Sequence, residues 1–185
     1  MSNFLSLKHY TCVNILFTFT TGGNTMKQRL DAYTIGYKAI SPFFRFTPHL
    51  AASPVGKNLL DLIAFRVSQI NGCAYCLDMH SKDLRADGET EQRLYLMSNW
   101  RETDFFTERE RAALAWTEAV NAYDVPDDVY KEALKHFSET ELIDLTMAGI
   151  ATTCYNKLNI AFRMPAGSYT VGQHTNVGQD AVDAL

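Results

Sequence analysis

The sequence predicts an all-α fold from residue 26 onward, on three observations. Apolar residues recur at helical spacing through most of the chain, and two Ser/Thr-x-x-Glu capping boxes mark helix starts. Strand-like alternation of useful length is not found, and only residues 167–177 look extended. With 185 residues, of which 46% are hydrophobic and 21% charged, the chain has the size and composition of one globular domain. We therefore expect a single helical domain over residues 26–185, with an extended C-terminal tail.

Start and stop signals divide the chain into a series of predicted helices. Ser53 as N-cap and Pro54 at the first helical position predict one helix start. Asn71 and Gly72 predict the end of that helix, because both residues tolerate the left-handed conformation common at helix ends. The predicted helices are 27–39 (ended by Ser41-Pro42), 54–71, 73–86, 89–100, 107–120, 126–137 and 139–162, with 43–52 as a short helix or an irregular arm.

The two capping boxes give the clearest helix starts. Thr107 pairs with Glu110, and Ser138 pairs with Glu141. In such a box the hydroxyl accepts the N–H of the residue three places on, and that residue's carboxylate accepts the N–H of the cap. The second box is expected to begin the longest helix of the protein.

Residues 1–25 are expected to be an extension outside the fold. Their one apolar run, residues 12–19, is far shorter than the ~20 residues of a membrane helix, and no convincing cleavage site follows it.

The net charge of −4 argues against a nucleic-acid partner. Four cysteines, two of them three residues apart, suit a reducing compartment. We expect a cytoplasmic protein with neither a membrane nor a nucleic-acid partner.

The segment INGCAYCLDMHSKD carries the candidate redox centre. At about 100° per residue, positions 73, 76 and 80 lie within roughly 60° of one another, so Cys73, Cys76 and His80 share one helix face. Gly72 precedes them, which places both thiols near the first turn, where free N–H groups and the helix dipole favour a thiolate. His80, four residues after Cys76, can accept the thiol proton or hold the thiolate. The spacing predicts a reversible dithiol–disulfide site.

Three other interpretations of the two cysteines remain open. The thiols could pack in a core as small apolar side chains. A zinc ion could bind Cys73, Cys76 and His80, but it would need a fourth ligand, and Asp78 points to another face. A thioredoxin-like fold would place the motif between a strand and a helix, and no strand is predicted here. We expect neither a metal nor a cofactor.

Several runs of the chain resemble a known family. RVSQINGCAYCLDMHSKD, GETEQRLYLMSNWRET, FTERERAALAW and the closing FRMPAGSY are similar to the carboxymuconolactone decarboxylase superfamily, and more narrowly to its alkylhydroperoxidase D (AhpD-like) branch. The resemblance spans residues 59–169, and CxxCxxxH is typical of the redox branch. It implies an AhpD-like helical bundle with the CxxC motif at the N-terminus of a central helix. It also implies that Cys76 attacks a hydroperoxide, Cys73 resolves the product as a disulfide, and His80 assists.

Two positions depart from the family pattern. The proton relay of the family often includes a glutamate twelve residues before the first cysteine, where this chain has Asp61. Because Asp61 is one methylene shorter, the relay is expected to be weakened or bridged by water. The best-known members have a histidine between the two cysteines, where this chain has Tyr75. Tyr75 is expected either to pack over the disulfide or to take part in catalysis.

The resemblance also implies a homotrimer or a homohexamer. The aromatic arm of Phe43, Phe44 and Phe46 supports assembly, because a helical domain of this size is not expected to bury it alone.

Three functions follow from these observations. The first is a thiol peroxidase that takes a small-molecule hydroperoxide and is reduced by a dithiol or a thioredoxin-like protein. The second is a lyase acting on a lactone acid, as the name of the superfamily allows, but it leaves the two cysteines without a role. The third is a non-catalytic redox-sensing oligomer whose disulfide changes its partners.

Overall fold

Helices are the regular elements of the computed structural model, which describes residues 26–174. The all-α prediction is confirmed, and this part of the chain contains no strand. A short 3-10 helix, Met97–Glu102, follows α6. The α-helices are α1 (Ala32–Ile35), α2 (Tyr37–Phe44), α3 (Phe46–Ala51), α4 (Lys57–Asn71), α5 (Ala74–Ala86), α6 (Glu91–Leu96), α7 (Glu108–Asn121), α8 (Asp127–His136) and α9 (Glu139–Phe162).

The main core lies where α4 packs against α5, α7 and α9. Burying one large apolar side chain contributes about 1.5–3 kcal/mol, so this contact fixes α4 and α5 relative to the rest of the chain. Those two helices meet at the CxxC motif. The largest apolar side chains with less than 2% of their surface exposed are Leu62, Ile63, Val67, Met97, Leu114 and Leu145.

The strongest start and stop signals are confirmed. Gly72 ends α4 in the left-handed conformation, with φ of 70°. The box of Thr107 and Glu110 starts α7, with both of its hydrogen bonds present. The box of Ser138 and Glu141 starts α9, which with 24 residues is the longest helix described.

The predicted start of α4 at Ser53 and Pro54 is wrong. The chain turns at these residues, and α4 begins at Lys57 after Gly56, whose φ is 92°. The Ser53 hydroxyl donates a hydrogen bond to Asp144 Oδ2 on α9 at 2.5 Å instead of capping a helix. The hydroxyl that the sequence pattern assigned to a helix cap therefore bonds to a residue on a distant helix.

The predicted first helix, 27–39, is also wrong in its first part. Residues 26–30 are not helical, and Arg29 among them bonds to the end of α9. The backbone N–H of Arg29 donates to the carbonyl of Phe162 at 3.0 Å, and the Arg29 guanidinium donates to the carbonyl of Ala161 at 2.9 Å. Asp31 is the true N-cap, and its carboxylate accepts the N–H of Thr34 at 3.1 Å.

Pro42 does not end a helix, as the sequence predicted, but lies inside α2. The helix continues only two residues further, to Phe44, which agrees with the missing N–H of proline. Phe44 is 6% exposed and packs near Tyr33 and Tyr155 within the same chain, whereas Phe43 is 42% exposed. One ring of the aromatic arm is therefore buried without help from a second copy.

The predicted helix 89–100 and the predicted extended tail also differ from the structure. The predicted helix 89–100 is divided into α6 and the 3-10 helix. The predicted extended tail is irregular as far as residue 170 and forms a turn at 171–174. Residues 1–25 and 175–185 lie outside the described residues, so the expectation of an N-terminal extension stays a prediction. Over 26–174, no helix combines the length and apolar character needed to cross a bilayer.

Candidate active site

The turn between α4 and α5 brings the two cysteines together. Cys73 is the N-cap of α5 and has an extended backbone, so its side chain lies over the first turn of the helix. Its Sγ accepts the N–H of Cys76 at 3.3 Å, in the same way as a serine or aspartate cap would. The two residues form a disulfide with a Cα–Cα distance of 5.3 Å. The structure therefore represents the oxidised form of the predicted site.

Both cysteines are buried, with about 1% of each residue exposed. Tyr75 and Tyr169 pack around them, and Met79 and Met164 lie at the edge of the same cluster. Tyr75 is 5% exposed and packs against the disulfide, the first of the two roles expected for it. Its hydroxyl also lies 2.8 Å from Nε2 of His174.

The chain after α9 returns across α5 and covers the disulfide. Gly167 N–H donates to Asp78 Oδ2 at 2.9 Å, and Lys82 Nζ donates to the carbonyl of Tyr169 at 3.0 Å. The Tyr169 hydroxyl donates to both carboxylate oxygens of Asp83, at 2.9 and 2.8 Å. Burial of its ring, together with this bond, raises the pKa of Tyr169, so the phenol stays a donor at neutral pH. The segment 164–174 thus lies over the redox face of α5 in the oxidised form.

His80 lies one turn after Cys76 on α5 and is half-buried. Removal of its ring from water lowers the pKa of His80 to about 4; the charge of Asp83 opposes this shift, and that of Lys57 adds to it. The imidazole is therefore neutral at pH 7 while the disulfide is closed. A neutral imidazole is the form that can accept a proton from a thiol.

Asp61 lies in the first half of α4, and its direct partner is Lys57 rather than His80. Lys57 Nζ donates to Asp61 Oδ2 at 2.7 Å and also bonds to Asp87, the C-cap of α5. Burial raises the pKa of the Asp61 carboxyl in spite of the Lys57 ammonium. The structure therefore places Cys73, Cys76 and His80 in the first two turns of α5, whereas Asp61 lies on α4 and is paired with Lys57.

A buried asparagine that the sequence analysis missed contacts the disulfide. Asn159, on the last turns of α9, donates from Nδ2 to Cys76 Sγ at 3.3 Å. The hydroxyl of Tyr33, on α1, donates to Asn159 Oδ1 at 3.0 Å. Asn159 is 5% exposed. The signal in the sequence was an asparagine in the apolar run LNIAF, because a polar side chain buried there needs a partner.

Asp83 is the second group that was missed. It lies three residues after His80 on α5, so the i, i+3 spacing of the two side chains was a usable signal.

The structure supplies no fourth ligand for the zinc site that the sequence left open. Within residues 26–174, no group of three or more histidine, cysteine, aspartate or glutamate side chains is arranged to hold a metal ion.

Fold and site together define an all-α protein with a buried CxxC disulfide at the N-terminus of a central helix. The model of the carboxymuconolactone decarboxylase family matches residues 46–119, which include both cysteines and His80. The uncharacterized protein YdfG of Bacillus subtilis (strain 168) is 35% identical over 146 residues, which cover 77% of this chain and 99% of YdfG. The chain belongs to the carboxymuconolactone decarboxylase family, in its AhpD-like branch.

Two solved structures illustrate the range of this fold. A protein of unknown function from Agrobacterium tumefaciens, for which a role as the antioxidant defence protein AhpD has been suggested, is 36% identical. It matches with a TM-score of 0.73 over 77% of this chain and all of its own. The debrominase Bmp8 is 19% identical and has a TM-score of 0.66 over 81% of this chain and 78% of Bmp8. At that identity the similarity to Bmp8 concerns the fold alone.

Proposed function

We propose that the protein is a thiol-dependent peroxidase that reduces alkyl hydroperoxides through a cycle of Cys73 and Cys76. The observation that carries the proposal is the disulfide at the N-terminus of α5, with His80 one turn further along the same helix. The methionines beside the disulfide, Met79 and Met164, give the site an apolar edge that suits an organic substrate.

The proposed cycle balances with one dithiol consumed for each hydroperoxide. The Cys76 thiolate attacks the outer oxygen of the hydroperoxide, so that an S–O bond forms and the O–O bond breaks. The alkoxide leaves and takes up a proton to become an alcohol, and Cys76 is now a sulfenic acid. Cys73 attacks this sulfur, the disulfide forms and water leaves. An external dithiol, small or thioredoxin-like, then supplies two electrons and two protons and reopens the disulfide.

His80 has the role of proton acceptor in this proposal. Its neutral ring can take the Cys76 proton and then lie as an imidazolium beside the thiolate. Asp61 is proposed as an outer member of the relay that is bridged to His80 by water. The raised pKa of the Asp61 carboxyl supports this role, because such a group exchanges protons closer to neutral pH than an exposed aspartate does. Assembly as a trimer or hexamer and a cytoplasmic location remain part of the proposal.

A thiol titration tests the function. One equivalent of an organic hydroperoxide, added to the reduced protein, is expected to remove two thiols per chain, and added dithiol should sustain repeated consumption. The double variant Cys73→Ser/Cys76→Ser keeps Cys12 and Cys154 and should lose none. No loss of thiols in the wild type would favour the lyase. Loss of two thiols without turnover would favour the redox sensor.

Substitutions of Asp61 test the relay. Asp61→Asn is expected to lower the rate of peroxide reduction by about tenfold, less than loss of a direct general base would, because the carboxyl is an outer member of the relay. Asp61→Glu keeps the carboxyl and should hold or raise the rate. Asp87→Asn is the matched control, since Asp87 shares the Lys57 ammonium. If Asp87→Asn lowers the rate as much as Asp61→Asn does, Asp61 merely holds Lys57 in place and is not in the relay.

A further inference from the structure

The environments of the two sulfurs differ in the type of donor that faces each. Cys73 Sγ accepts a backbone N–H, which belongs to α5 itself. Cys76 Sγ accepts a side-chain amide from Asn159, which belongs to another helix. A hydrogen bond to a charged acceptor is roughly twice as strong as one between neutral groups. The hydrogen bond from the Asn159 amide would therefore stabilise a Cys76 thiolate more than it stabilises the disulfide sulfur that it contacts in the structure.

The orientation of the Asn159 amide is set by Tyr33. The Tyr33 phenol is half-buried and donates its proton to Asn159 Oδ1. Burial raises the pKa of Tyr33 to about 12, so this proton stays in place throughout the physiological range. With Oδ1 occupied, the NH₂ group faces Cys76 Sγ. If the amide were flipped, Oδ1 would face the sulfur and repel a thiolate.

Each member of this pair also has a contact of its own with the rest of the fold. The backbone carbonyl of Asn159 accepts the N–H of Met164 at 2.9 Å, which closes the C-terminal turn of α9. The Tyr33 ring packs near Phe44, with the ring centroids 6.4 Å apart. A donor that is already in place costs no reorganisation when charge develops on the sulfur.

We infer that Asn159 is a catalytic residue whose amide stabilises the Cys76 thiolate, and that Tyr33 is a positioning residue that fixes this amide. The inference rests on the proposed function, because it matters where Cys76 is the attacking thiol. It assigns to α1 and α9 a part in activating a cysteine on α5. Tyr75 on α5 and Tyr169 in the segment 164–174 are the titratable side chains packed around the disulfide. His80 and Asp83 follow along α5, and Tyr33 lies behind Asn159.

The thiol pKa of Cys76 tests the inference without any use of peroxide. The full chain with Cys73→Ser is reduced, and alkylation of Cys76 by iodoacetamide is followed against pH by mass spectrometry of its peptide. Asn159→Ala and Asn159→Asp should each raise the pKa of Cys76 by about one to two units, because a hydrogen bond to the thiolate is lost. The aspartate variant should give the larger shift, since it adds a negative charge. Tyr33→Phe should raise the pKa by a smaller amount.

A double-mutant cycle separates positioning from a purely structural effect of Tyr33. If Tyr33 acts through the amide, Tyr33→Phe should shift the pKa in the native background and leave it unchanged in the Asn159→Ala background. Asn156→Ala is the matched control: Asn156 is a buried asparagine one turn earlier on α9 and bonds to Ser68, not to sulfur. It should leave the pKa of Cys76 where it was.

Three results would overturn the inference. One is an unchanged pKa of Cys76 in Asn159→Ala, with the helical circular dichroism of the protein intact. Another is an equal shift in Asn156→Ala. The third, decisive even where the Asn159 variants fail to fold, is an unchanged pKa in Tyr33→Phe. A wild-type protein that consumes no peroxide but shows the expected shifts would refute the proposed function and leave the role of Asn159 at the thiol standing.

Discussion

Cys76→Ser should abolish peroxide consumption, and Cys73→Ser should leave one stoichiometric turnover. The reason is that a serine at position 76 removes the nucleophile, whereas a serine at 73 removes only the group that resolves the sulfenic acid. Without Cys73, the oxidised sulfur lacks the partner with which it forms the disulfide in the structure. We expect the sulfenic acid to accumulate on Cys76, where a dimedone adduct on its peptide would reveal it.

Each of the two thiols has a hydrogen-bond donor that would stabilise its thiolate, so the attacking cysteine has to be chosen on other grounds. Cys73 Sγ accepts the N–H of Cys76, and this bond would also stabilise a thiolate at Cys73. Cys76 has the amide of Asn159 beside it and His80 one turn further on. Only the second set includes a group that can take the thiol proton, and for that reason we assign attack to Cys76.

Mass spectrometry of the two variants after one equivalent of hydroperoxide decides between the thiols. A dimedone adduct on Cys76 in Cys73→Ser, with an unmodified Cys73 in Cys76→Ser, is the expected pair of results. Cys154 is a free thiol on α9 and serves as the internal control for non-specific oxidation. An adduct on Cys73 in the Cys76→Ser variant, formed at the faster rate, would reverse the assignment.

The parts of the fold that could be predicted from the sequence are those fixed by local chemistry. Gly72 ends α4 because a left-handed residue is needed there, and the two capping boxes use side chains three residues apart. The CxxC pair follows the same rule, since three residues bring both sulfurs into one turn. In each case the partner groups are close in sequence, so their spacing alone contains the information.

The parts that could not be predicted depend on partners distant in sequence. Ser53 was expected to cap α4, but its hydroxyl donates to Asp144, which lies 91 residues away. Asn159 contacts Cys76 across 83 residues, and Tyr33 contacts Asn159 across 126. No local pattern specifies these contacts. Asp61 pairs with Lys57 four residues earlier on the same helix, which is a local i, i+4 contact, but the bond from Lys57 to Asp87, 30 residues away, depends on how α4 and α5 pack.

His80→Gln should lower the rate of peroxide reduction by about 100-fold at pH 7, the lower end of the range for a lost general base. The glutamine keeps a polar side chain of similar length but cannot take up a proton. His136→Gln is the matched control, since His136 is also partly buried but lies at the end of α8 and bonds to Glu132. It should leave the rate unchanged. A loss of less than threefold in His80→Gln would remove His80 from the mechanism.

The protonation of His80 should also depend on the redox state of the cysteines. In the disulfide form the sulfurs carry no charge, and burial holds the pKa of His80 at about 4. Reduction allows a thiolate at Cys76, four residues away on the same helix face, and a negative charge at that spacing favours the imidazolium. The pKa of His80 should therefore rise when the disulfide opens, and by linkage the imidazolium should lower the pKa of Cys76. Histidine resonances followed by NMR against pH in both redox states measure the change.

Protonation of His80 should also make the oxidised protein less stable at acidic pH. Between pH 4 and 6.5 the His80 ring is protonated in the unfolded chain and neutral in the folded one. The unfolded state then binds more protons, so the free energy of unfolding falls as pH falls through this window, by about 1–3 kcal/mol from His80 alone. Other groups contribute to acid unfolding, and the measured quantity is therefore the difference in urea stability between wild type and His80→Gln at pH 7 and at pH 4.5. The wild type should lose more stability than the variant, because glutamine does not titrate. An equal loss in both would mean that the ring is solvated in the oxidised protein and that burial does not lower the pKa of His80.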